Sequence, residues 1–353
     1  MSIDERYKIE DTLISGMSGV TYSAVDKTMG RLVAFRRLFP EIPHARCREV
    51  QPIFDQVFGN LSKMRSPGLI KVVDGGLDEQ GYYLVTELLD GPLLGERLMK
   101  DPLKVDEFSE LAKSLLSTIS EFHSHNIFHT ALSSKSVQLT SDPVKGVRFK
   151  IIDLGLAALI RSLDPKRRAR HYGMIEPVLM PPEYFEGKLP SQSLDLYSCG
   201  QLLYASLAGG HPLGELGIDM TYRRLKQGSY PPVHAYRKDV PEEVGEWIQK
   251  MTAFSPKDRF PKVQDALEAF PEPKPVSNIK LVRTTRRVMV AAKNTTGVYG
   301  VMGGAPLRTG PTYIQNRVPL LGRRGELILI GVLILLVFGM GGSIIYLLVR
   351  QAG

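Results

Sequence analysis

Three histidines fall within seven residues, His123, His125 and His129, and imidazoles so spaced could ligate zinc. A structural zinc site wants four ligands, and no fourth candidate lies nearby, so the trio is not read as a metal site. The two cysteines, Cys47 and Cys199, are too few for a disulfide framework. They fit a reducing compartment and the role of small buried residues. Charge is the third source of chemistry. The 353 residues carry a net +8, and it is unevenly placed. Residues 271–325 hold ten Lys or Arg (Lys274, Lys280, Arg283, Arg286, Arg287, Lys293, Arg308, Arg317, Arg323 and Arg324) against one acid, Glu272, a net +9. The remainder is close to neutral. This argues against a nucleic-acid-binding face on the globular part.

The elements that must position any site are legible from pattern. Apolar content of 43% and charged content of 23% are those of a globular chain. Tyr7 to Asp26 alternates apolar residues around a glycine-containing turn and predicts a β-hairpin. Arg31 to Leu38 reads as a strand, and so does the run from Val147 towards Gly155. Val105 to Phe122 has apolar residues at 105, 108, 111, 112, 115, 116, 119 and 122, the period of a helix. The start of the chain has no apolar run of the signal-peptide kind. Leu327 to Val349 is uncharged and mostly apolar, and as a helix it would be about 35 Å long, enough to cross a bilayer.

The stretch Ile127 to Leu139, IFHTALSSKSVQL, resembles the catalytic loop H-R-D-L-K-P-x-N of the protein kinase superfamily. His129 and Leu132 stand at the His and Leu positions. Thr130 replaces Arg, Ala131 the catalytic Asp, Ser133 the Lys and Ser136 the metal-binding Asn. A methyl group cannot accept a substrate proton, and a hydroxyl is a poor magnesium ligand beside a carboxamide.

The other kinase motifs follow in order. Gly16 and Gly19 match two glycines of the phosphate-covering loop, although an ordinary hairpin turn accounts for them equally; Ile14 replaces the first glycine, and Thr21 the valine over adenine. Ala34 and Arg36 fall in the V-A-I-K strand, with arginine at the lysine. Phe54 to Ile70 resembles the helix that supplies that lysine's glutamate, and the glutamate position is Val57. Thr86 sits at the gatekeeper, Glu87 and Leu89 at the hinge, and Gln138 at the apolar floor beneath adenine. Asp153 keeps the acid of D-F-G and is the remaining magnesium-ligand candidate; as a plain alternative it only starts the next turn. The activation segment would run from Asp153 to Glu183, with a basic stretch at 166–170 and Glu176 at a usual threonine. Glu183, Asp195 and Arg259 match positions that hold the fold. Glu183 and Arg259 are predicted to form a buried ion pair.

The resemblance, from Tyr7 to about Phe270, implies a bilobal α+β protein-kinase-like fold. The N-lobe is placed at about 1–89 and the C-lobe at about 90–270. A basic, mostly disordered linker is expected over 271–325, a transmembrane helix over 326–349, and a short tail over 350–353. The basic flank predicts a single pass with the kinase-like domain in the cytoplasm and an attraction to anionic lipid headgroups. The altered positions imply a pseudokinase that serves as a scaffold or signalling regulator for other signalling proteins. ATP and Mg²⁺ are not required in that reading, and the slot around Asp153 is vestigial. The alternative is a Ser/Thr kinase of low activity.

Overall fold

The computed structural model describes residues 3–16, 19–38, 44–142, 144, 146–154, 176–188, 191–214, 216–228 and 230–272. A one-turn helix α1 (Ile3–Arg6) leads into β1 (Tyr7–Gly16), which pairs with β2 (Gly19–Asp26) in the expected hairpin. β3 (Arg31–Leu38), β4 (Val72–Asp78) and β5 (Gly81–Glu87) complete an antiparallel five-stranded sheet in the order β1-β2-β3-β5-β4. The β1–β2 register ends with Gly16 opposite Gly19. Gly19 has φ +134, and a Cβ there would lie 2.1 Å from the Arg37 carbonyl oxygen of β3. A side chain is excluded at Gly19 by sheet packing alone, whatever the loop binds.

Helix α2 (His44–Leu61) lies across the sheet, with Val50, Phe54 and Leu61 buried and Val57 half-buried on the same face. Phe54 stacks on Tyr82 of β5 at a centroid distance of 4.4 Å. The loop after α2 is fastened to the helical lobe. Glu121 accepts the Arg65 and Ser66 amides, both at 2.7 Å. The Ile70 amide donates to Ile151 O and the Ile151 amide to Gly68 O, at 3.0 and 2.7 Å.

Beyond β5 the chain is mainly helical. α3 (Leu94–Leu98) precedes α4 (Val105–Ser124), whose buried Phe108, Leu111, Leu115, Ile119 and Phe122 follow the predicted period. α4 stops at Asn126, a residue type that tolerates the left-handed φ of 56 found there. A two-stranded hairpin, β6 (Val137–Asp142) and β7 (Gly146–Ile151), carries the segment leading to Asp153. After the short α5 (Pro182–Phe185) come α6 (Gln192–Ala208), α7 (Ile218–Lys226), α8 (Glu242–Met251) and α9 (Val263–Glu268). α6 is the axis of this lobe: Leu194 through Tyr204 are all buried.

The sheet-rich and helical lobes agree with the expected bilobal fold. The proposed span over 326–349, residues 273–325 of the basic linker and the basic stretch at 166–170 lie outside the described residues. Among the described residues, no helix is long and apolar enough to cross a membrane.

Candidate active site

Asp195, in the first turn of α6 and fully buried, organises the loop that follows α4. Its Oδ1 accepts the Thr130 amide at 2.7 Å, and its Oδ2 accepts the His129 amide at 2.8 Å. Oδ2 also accepts from His123 Nε2 at 2.9 Å. Charge-assisted bonds of this kind are about twice as strong as neutral ones. They hold Thr130 at φ 57, a region that costs a β-branched residue about 1–3 kcal/mol. His129 is buried, and its Nε2 donates to the Asp153 carbonyl at 2.9 Å. Two of the three histidines considered for zinc are thus committed to fold contacts, and no metal-holding cluster occurs among the described residues.

The backbone of the loop is held, but its reactive groups are absent. Ala131 is buried, with 6% of its surface exposed. The Ser133 and Ser136 hydroxyls lie 3.2 Å apart and bond to each other. The Ser133 amide donates to Ser136 Oγ and the Lys135 amide to Ser133 Oγ, both at 3.2 Å. Both hydroxyls therefore close the loop on itself. Glu176 brings a carboxylate to the loop's edge, accepting from Ser134 Oγ at 3.2 Å. That contact was not foreseen, because Ser134 and Glu176 are 42 residues apart. Asp153 is half-buried, and among the described residues its carboxylate has no hydrogen-bond or ion-pair partner. A single carboxylate of this kind could hold Mg²⁺, but Ser136 offers no second strong oxygen donor.

The hinge is partly occupied from within. Gln138 Nε2 donates to the Gly91 carbonyl at 2.8 Å, with a longer approach of 3.5 Å to the Leu89 carbonyl. The Thr86 hydroxyl donates to the Glu87 carbonyl at 3.2 Å. The Glu87 carboxylate accepts the Lys71 amide at 2.8 Å and pairs with Lys150. Ala34 and Arg36 are brought beside this edge by the β3–β5 ladder, opposite Thr86 and Leu84. Across from them Val57 packs into the apolar core, so the position expected to supply a partner for Arg36 brings no acid. Gly16 and Gly19 stay together at the hairpin tip, away from these contacts in the β1–β2 register. Sequence reasoning placed Gln138 in the slot; nothing in the sequence showed that its amide turns to the hinge.

The predicted ion pair is present. Arg259 meets Glu183 in two bonds of 2.6 and 2.9 Å, both residues buried. Its remaining donors reach Ser193, the Ala253 carbonyl and the Phe254 carbonyl. The guanidinium also lies 4.7 Å from the Tyr197 ring centroid.

This arrangement of sheet, hinge, loop and ion pair can be compared with known proteins. The family model described as the protein kinase domain matches residues 7–269. The chain belongs to the protein kinase domain family. The chain is 26% identical over 317 residues to serine/threonine-protein kinase A of Synechocystis sp., covering 83% of this chain and 60% of that protein. It is 25% identical over 265 residues to serine/threonine-protein kinase PrkC of Bacillus subtilis, covering 74% of this chain and 40% of that protein. The chain thus spans about two fifths to three fifths of the length of these relatives. Among solved structures, the PknI kinase domain of Mycobacterium tuberculosis matches with a TM-score of 0.56 at 17% identity, covering 75% of this chain and 94% of that one. Rad53 in complex with AMP-PNP matches at 0.59 with 22% identity, covering 76% of this chain and 65% of that one. At these identities the structural matches speak for the kinase fold.

Proposed function

We propose that this kinase domain is a pseudokinase: a membrane-anchored, cytoplasmic scaffold or regulator of signalling proteins rather than a phosphotransferase. One observation carries the reading. The catalytic loop keeps its backbone, clamped by Asp195, while a buried methyl group, Ala131, stands where the general base belongs. Loss of a general base typically costs about 10²–10⁴-fold in rate. The second metal ligand is Ser136, and the position that should pair with Arg36 is Val57. Gln138 adds a further obstacle: its amide occupies the Gly91 carbonyl just beyond the hinge and approaches that of Leu89. The anchor is the apolar run at 326–349, with the basic flank before it directed to anionic lipid.

The test is phosphoryl transfer from radiolabelled ATP by the full chain, run beside an Asp153→Ala variant, together with thermal melts in Mg·ATP and Mn·ATP. The expected result is no transfer above the variant. The expected melt shift is well under the ~2.7 kcal/mol that ligand at a hundredfold its Kd supplies. Transfer that disappears in Asp153→Ala overturns the reading. A second reading, a Ser/Thr kinase of low activity, draws on two observations: the Asp153 carboxylate, which has no partner among the described residues, and the Glu176 carboxylate at the loop's edge. The same assay on Glu176→Gln addresses it.

A further inference from the structure

A cavity of about 240 Å³ opens in the helical lobe between α6, the end of α7 and the end of α8, and it shares no residue with the hinge or the catalytic loop. Cavities of about 150 Å³ engineered into protein cores take up benzene, so a small ring fits. Leu225 and Phe254 supply apolar walls, Tyr197 and Tyr230 supply phenols, and the exposed Lys226 brings a positive charge. The hydrogen bonds behind the cavity leave it one buried donor. His211 Nδ1 accepts the Leu213 amide at 3.0 Å. Burial keeps this imidazole neutral, so its proton sits on Nε2 and goes to Gln201 Oε1 at 2.9 Å. That contact fixes which way the Gln201 amide faces. Its NH₂ group then donates to the Tyr197 oxygen at 2.7 Å and to the Tyr230 oxygen at 3.0 Å. Each phenol has to send its own hydrogen elsewhere. The Tyr230 hydroxyl has Gln201 Oε1 at 3.3 Å. The Tyr197 hydroxyl has no acceptor among the described residues. Tyr197 is fully buried, and burial pushes its phenol well above the usual range, so it keeps that hydrogen.

We propose that this cavity binds a small aromatic carboxylic acid in its ionised form. The carboxylate accepts the Tyr197 hydrogen, Lys226 balances its charge, and the ring lies against Leu225 and Phe254. An apolar slot with a few fixed polar groups is the usual form of a small-molecule site. Buried donors are almost always paired, and a ligand that brings an acceptor supplies what the fold withholds from Tyr197. The donor is also rigidly placed. The Arg259 guanidinium lies 4.7 Å from the Tyr197 ring centroid, and Gln201 holds its oxygen. The Tyr230 ring is set between those of Tyr204 and His211, with centroids 5.1 and 4.9 Å away. Binding here is independent of phosphoryl transfer and of the membrane anchor.

Saturation-transfer NMR of the full chain tests this, with benzoate as the probe and benzyl alcohol as its uncharged counterpart. Benzoate is expected to bind saturably and about tenfold more tightly than benzyl alcohol. Tyr197→Phe keeps the ring and removes the donor, and it is expected to weaken benzoate about tenfold. Ala253→Leu, at a half-buried position lining the cavity, fills the space and is expected to abolish binding of both. The absence of saturable benzoate binding, equal affinity for the two probes, or an affinity unmoved by Tyr197→Phe or by Ala253→Leu overturns the proposal. If Tyr197→Phe lowers the urea midpoint, the exposed Lys226→Gln takes its place. It is expected to weaken benzoate and leave benzyl alcohol unchanged, and an equal effect on both probes overturns the proposal.

Discussion

Asp195 Oδ1 accepts the amide of Thr130 at 2.7 Å and holds that residue at φ 57 across 65 positions of sequence. The contact keeps a kinase loop in shape although the side chain that gives such a loop its chemistry is missing. It also makes Asp195 a point of vulnerability. Asp195→Ala leaves the His129 and Thr130 amides buried without acceptors, at about 1–3 kcal/mol each. Urea unfolding is expected to show a loss of several kcal/mol, and Asp195→Asn, which keeps one acceptor, a smaller one.

The Glu183–Arg259 pair is expected to behave as a unit. Arg259→Met alone strands a buried carboxylate and costs about 3–5 kcal/mol. Adding Glu183→Gln is expected to recover part of that loss. A double-mutant cycle by chemical denaturation measures the coupling, and strictly additive single effects would contradict a buried pair.

Gln138 controls the hinge in the proposed function. Replacing it by leucine frees the Gly91 carbonyl and restores an apolar floor. The thermal shift produced by Mg·ATP is expected to be larger in Gln138→Leu than in the parent chain. Ala131→Asp alone is expected to leave phosphoryl transfer undetectable, since Ser136 and Val57 remain. Transfer by that single variant would show that the other two sites are not limiting.

Stability should fall on acidification through His211. Burial pushes its pKa down from the usual 6.5 to about 3. Its Nε2 donates to Gln201 Oε1 at 2.9 Å and its Nδ1 accepts the Leu213 amide at 3.0 Å, so the folded ring is neutral and has no site for a second proton. Below about pH 6.5 the unfolded chain binds a proton that the folded chain does not. Its contribution is complete above that pH and shrinks by up to about 1.4 kcal/mol per unit towards pH 3. Urea midpoints at pH 7.5 and 5 for the parent and His211→Gln check this: the variant is expected to show the shallower pH dependence.

The proposed function takes residues 326–349 as the membrane anchor. Carbonate extraction is expected to leave the full chain in the membrane pellet and to release a chain ending at Glu272. Release of both would remove the anchor from the proposed function.

Much of this protein is local and therefore legible in sequence. The period of α4, the alternation of β1 and the order of the kinase motifs follow from neighbours a few residues apart. So does the loss of chemistry at Ala131, because a methyl group cannot accept a proton in any fold. Gly19 was legible as a glycine, but its reason was not: the Arg37 carbonyl that excludes a side chain belongs to another strand. The same holds for Gln138, whose amide meets Gly91 from 47 residues away, and for Glu121, which caps a loop more than 50 residues earlier. The buried Glu183–Arg259 pair was foreseen through family resemblance; its further bonds to Ser193, Ala253 and Phe254 were not. Residue types state which groups can donate, accept or carry charge. Which groups meet is decided when the hydrophobic core brings distant segments within about 3 Å, the range over which hydrogen bonds act.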